Sequence, residues 1–61
     1  MAVITTKELT ALDDELSKEQ NLIAKFKNYA ETTNDTKLKN QYESIAQKHQ
    51  THFDVLYTLL K

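Results

Sequence analysis

The 61-residue chain contains no cysteine, no glycine, no proline and no tryptophan. Without cysteine it can form neither a disulfide nor a thiolate metal site. Without glycine and proline it offers no Gly-rich phosphate loop, no tight primed hairpin turn and no strong helix breaker. Arginine is missing as well, so all 8 basic residues are lysines; they stand against 9 acids for a net charge of -1. With neither arginine nor a basic block, the chain is not expected to bind nucleic acid. No apolar run reaches the length of a membrane span. The opening "MAVITTKELT" has neither the basic n-region nor the extended apolar h-region of a secretory signal. A soluble protein, intracellular when synthesised and without a membrane partner, is the expectation.

A chain with these absences suits long helices. Its length allows one domain, 1–61, and a thin core. Chains this short usually rely on disulfides, a metal or a partner subunit. Disulfides are excluded, which leaves a metal held by histidine and carboxylate, or self-association.

Polarity peaks in "ETTNDTK", residues 31–37. Thr32, Thr33, Asn34 and Asp35 favour turns and caps, because their side chains compete for backbone hydrogen bonds. The turn is expected at about 33–34, with Asn34 or Asp35 capping the second helix. Upstream, Thr5 is followed three residues later by Glu8, a capping-box pattern before an apolar periodicity. The expected helices run from about 6 to 32 and from about 35 to 60. Each would be about 39 Å long at 1.5 Å per residue.

Helix 1 carries a stripe at Leu9, Leu12, Leu16, Glu19, Ile23, Phe26 and Ala30. Helix 2 carries one at Leu38, Tyr42, Ile45, His49, His52, Leu56 and Leu59. The spacings alternate three and four, the a/d pattern of a left-handed bundle. A short turn makes the helices antiparallel, and facing residues then have numbers summing to about 68. Leu9 faces Leu59, Leu12 faces Leu56, Phe26 faces Tyr42, Ala30 faces Leu38, Leu16 faces His52 and Glu19 faces His49. The two seams match in character at every position.

Only Glu19, His49 and His52 interrupt the seams with residue types that bind transition metals. The two histidines are one turn apart on one helix face, and both can reach Glu19. Leu22 and Tyr29, with Ala46, Phe53 and Leu60, widen the apolar surface beyond one seam. Two hairpins face to face would bury it as a homodimeric four-helix bundle, and a symmetric dimer would bring two copies of the Glu19–His49–His52 layer toward one axis. Exchange of one helix between subunits would satisfy the same pattern.

"KEQNLIAKFKNYA" (18–30) together with "LKNQYESIAQKHQTHFDVLYTLL" (38–60) resembles the ferritin-like superfamily. The nearer similarity is to small spore coat proteins of the coat-F type, and it covers about Glu8 to Leu60. The resemblance implies a half-ferritin hairpin that dimerises, a role in the spore coat and other coat proteins as partners. It places Glu19 at the first metal-binding Glu of the ferritin-like pattern and His52 at the His of Glu-x-x-His. His49 stands where that motif has Glu. The loss of a bridging carboxylate argues against di-iron oxidase or ferroxidase chemistry.

Two readings of the layer stand side by side. It is a register-setting polar layer, in which a carboxylate pairs with imidazoles. Alternatively it binds iron, zinc or manganese through Glu19, His49 and His52 from each subunit. Histidine titrates near neutral pH, so dimer stability is expected to respond between about pH 5 and 8. Tyr29, Tyr42 and Tyr57 read as packing rather than redox relays. The charged residues read as solvated faces with i,i+4 pairs such as Asp14–Lys18. Neither Ser17 nor Ser44 lies in the seam beside a His–carboxylate pair, so no nucleophilic triad is formed, and regular helices offer no oxyanion hole.

Overall fold

The computed structural model describes residues 4–60; residues 1–3 and 61 of the expected domain lie outside it. Two helices form an antiparallel hairpin. Helix α1 spans Thr6–Thr32 and helix α2 spans Thr36–Tyr57, followed by a 3-10 turn at Thr58–Leu60.

The capping box forms as its spacing predicts. Thr5 is extended, with φ -74° and ψ 162°. Its hydroxyl accepts from the Glu8 amide at 3.1 Å, and its own amide donates to Glu8 Oε1 at 3.1 Å. Those Thr5 hydrogen bonds favour the ionised Glu8 carboxyl and hold it below its ordinary range.

At the other end of α1 there is no glycine to take a left-handed cap. The chain stops the helix by extending at Thr33, φ -81° and ψ 143°, whose amide still donates to the Tyr29 carbonyl. The Thr33 hydroxyl then accepts from the Asp35 amide at 3.2 Å. Asp35 is the cap of α2, its carboxylate accepting from the Leu38 amide at 3.0 Å. A carboxylate in that role must stand outside the helix, so α2 begins at Thr36, one residue later than expected. Its end also differs. The final turn tightens to 3-10 geometry, which satisfies terminal carbonyls with closer partners. The Thr58 hydroxyl bonds the Val55 carbonyl at 2.6 Å.

The register of the hairpin follows the seam pairing. Glu19 meets His49, and the Phe26 and Tyr42 rings lie 6.1 Å apart. Burial departs from the expected seam on α2. Ala46, a flanking position, is the most buried residue at 3% exposure, and Phe53 is half-buried. Leu38, His52 and Leu59, all assigned to the seam, are exposed. For His52 and Leu59 the reason is helical geometry: a helix of 3.6 residues per turn drifts about 20° per heptad against a 3.5-residue stripe; Leu38 lies in the first turn of α2, at the end of the rod.

The core is correspondingly thin. Leu16, Ile23, Ala30 and Ala46 are its only buried apolar residues among those described, and none of them is completely enclosed. The molecule measures 47 × 17 × 11 Å, with a radius of gyration of 14.5 Å. A compact chain of this length has a radius near 10.5 Å, roughly, from chain-length scaling. The hairpin is a rod, and most side chains touch one neighbouring helix at most.

Candidate functional site

Glu19 sits equidistant from the two ends of α1 and is buried, with 4% exposure. Opposite it, α2 places His49 and His52 three residues apart, about 4.5 Å along the axis. His49 Nδ1 lies 2.8 Å from Glu19 Oε2, and His52 Nδ1 lies 3.1 Å from Glu19 Oε1. An ionised carboxylate only accepts, so each imidazole donates its Nδ1–H. The second proton of either ring adds at Nε2, which leaves these two bonds in place.

Burial pushes the Glu19 carboxyl up, because a charge is poorly solvated there. The two imidazole hydrogen bonds, with the histidine charges, outweigh burial and hold the group below its ordinary value of 4.5. Glu19 is therefore an ionised acceptor with a bond to each oxygen.

The two histidines are held differently. The His49 side chain is 28% exposed, and its ring stacks on Phe26 at 6.2 Å and 12°. Phe26 also meets Tyr29 edge-on at 5.7 Å, and Tyr29 lies 5.4 Å from Tyr42. This aromatic cluster walls the turn side of the layer, in keeping with the packing role expected of Tyr29 and Tyr42. His52 lies at the rim, its side chain 53% exposed. The stack of Phe26 on His49 was not anticipated; its signal in the sequence is the facing of Phe26 and Tyr42 two turns from the Glu19–His49 pair.

All three expected site residues thus come together. Two imidazoles and a carboxylate are the donor set of open transition-metal sites. In this arrangement, however, each Nδ1 takes a different oxygen of Glu19. The donors straddle the carboxylate rather than aim at one point. Among the described residues no group of three or more His, Cys, Asp or Glu is placed to hold an ion. Metal binding would have to exchange both hydrogen bonds for metal contacts.

The surface offers shallow grooves away from this layer. One of about 420 Å³ is lined by Gln20, Ile23, Ala24, Lys27, Gln50 and Phe53. Another of about 430 Å³ at the open end is lined by Ile4, Glu8, Ala11, Leu12, Glu15 and Leu59. Neither includes Glu19, His49 or His52. On the solvated faces Lys18 pairs with Glu15 at 3.8 Å rather than with Asp14. Such an exposed pair contributes little. No described helix is long and apolar enough to cross a membrane.

The chain matches no protein family model, no curated protein and no solved structure.

Proposed function

We propose that the chain is a structural assembly protein whose hairpin pairs with a second copy to form a four-helix bundle. The observation that carries this reading is uncovered apolar surface. Ile4, Leu9, Tyr29, Leu38, Val55, Tyr57, Leu59 and Leu60 are all exposed. The chain exposes 4932 Å², whereas a compact monomer of 7.1 kDa exposes about 4,100 Å². The excess is close to the roughly 800 Å² that each partner buries in a stable complex. In that assembly the Glu19 layer sets register: a buried carboxylate with two matched donors penalises any slip that would leave it unpaired. The resemblance to coat-F-type proteins adds the spore coat as the setting, with other coat proteins as further partners.

Native mass spectrometry of untagged protein, with melting followed across protein concentration, tests this reading. A dimer whose midpoint rises with concentration is expected. A monomer with a concentration-independent midpoint would overturn it.

Metal binding is the second reading, favoured by the convergence of Glu19, His49 and His52 within 3.1 Å contacts. Loss of iron, zinc or manganese mass on chelation would support it. A protein that stays metal-free after incubation with all three ions would remove it.

A further inference from the structure

We propose that Tyr29 and Tyr42 form an oxidative cross-linking site, at which a peroxide-driven one-electron oxidant joins the two rings and ties α1 to α2 beside the turn. Both rings belong to one chain, so the site stands whether or not two hairpins pair.

The first ground is the placement of the rings. Tyr29 lies in the last turn of α1 and Tyr42 in the second turn of α2. Their centroids are 5.4 Å apart with the planes at 54°, inside the range of packed aromatic pairs, so the rings are in contact. Phe26 closes the cluster, 5.7 Å from Tyr29 and 6.1 Å from Tyr42. It has no phenolic proton to lose, so oxidation within the cluster falls on the two tyrosines. The third tyrosine of the chain, Tyr57, ends α2 away from the turn and stacks on Phe53 at 5.8 Å and 17°.

The second ground is access. Tyr29 is 38% exposed and Tyr42 is half-buried. A one-electron oxidant therefore reaches Tyr29 from solvent, and Tyr42 passes an electron to the Tyr29 phenoxyl radical across the contact. A second oxidation of Tyr29 leaves one radical on each ring, and both phenolic protons have gone to water. The radicals couple at ring carbons ortho to oxygen. Each coupled carbon then releases its hydrogen as a proton and each oxygen regains one, which leaves two phenols joined by one carbon–carbon bond. The two electrons and two protons removed in all reduce one hydrogen peroxide to two waters.

The third ground is what such a bond does for this chain. Without cysteine the hairpin has no disulfide between its helices, and its buried apolar set is only Leu16, Ile23, Ala30 and Ala46 among the described residues. A bond from Tyr29 to Tyr42 closes the loop that carries the turn and restricts the unfolded chain, as a disulfide does.

Treatment of the purified protein with hydrogen peroxide and a haem peroxidase tests this, with intact mass taken under denaturing conditions. The expected product is a single chain lighter by two hydrogen atoms, with blue dityrosine fluorescence and with tryptic peptides 28–37 and 40–48 joined. Tyr29→Phe and Tyr42→Phe each keep an aromatic ring in place and should each abolish this product; Tyr57→Phe should leave its yield unchanged. The linked chain should unfold at a higher urea concentration than the unlinked one. Products found only at twice the chain mass, links through peptide 49–61 instead, or no loss of mass would overturn the site. A linked chain with an unchanged urea midpoint would overturn its role in tying the helices together.

Discussion

Glu19 Oε2 and His49 Nδ1 lie 2.8 Å apart although 30 residues separate them in the chain. This contact joins the centre of α1 to α2, and His52 completes it from one turn further on. Its energetic sign depends on whether the partners are removed singly or together. Glu19→Ala leaves two imidazoles without their acceptor and is expected to cost on the order of 1 kcal/mol, because both rings are partly exposed and regain water as a partner. Replacing Glu19, His49 and His52 together by leucine should be neutral or stabilising, because desolvation of the carboxylate also disappears. Urea denaturation at matched protein concentration reads both values. A triple variant that is less stable than Glu19→Ala would show that the layer contributes more than register.

The acid limb follows from the depressed Glu19 carboxyl. A group with a lowered folded-state pKa contributes stability above its unfolded value and loses it as pH falls through the folded one. Glu19 should therefore contribute fully above its ordinary value of 4.5 and progressively less at lower pH. Glu19→Gln should flatten that part of the profile. Equal acid-unfolding curves for the two proteins would contradict the assignment.

The helix caps make a separate prediction. Thr5→Ala removes the hydroxyl that accepts from Glu8, and Asp35→Ala removes the carboxylate that accepts from Leu38. Each should cost about 1 kcal/mol, as cap deletions do. The two caps are at opposite ends of the rod, so their effects should add. Thermal melts by circular dichroism, with the double variant included, measure this.

Ala46 separates the heptad reading from the folded arrangement. As a flanking residue it would be covered only by a second hairpin. At 3% exposure it is already covered within one chain. Ala46→Leu is expected to destabilise by about 1–3 kcal/mol through overpacking. The same change at exposed Ala24 should have little effect. Comparable stability of the two variants would place the helix contact elsewhere.

The local features of this protein were legible because their causes are local. The capping box at Thr5 needs only residues three apart. The helix stop needs only the polar cluster around Asn34, and Asp35 was one of two residues expected to cap α2. Even the pairing of Glu19 with both histidines was accessible, because a short turn leaves one antiparallel register that matches the seams. What the sequence by itself determined is therefore two long helices, their turn and the membership of the central layer. Only the tertiary structure decided which residues are covered. A 3.5-residue stripe laid on a 3.6-residue helix drifts, so Ala46 moved inward while Leu59 and His52 moved out. It also decided the form of the layer: Nδ1 from each ring on a separate Glu19 oxygen, an arrangement set by side-chain torsions and the Phe26 stack, which heptad spacing does not encode.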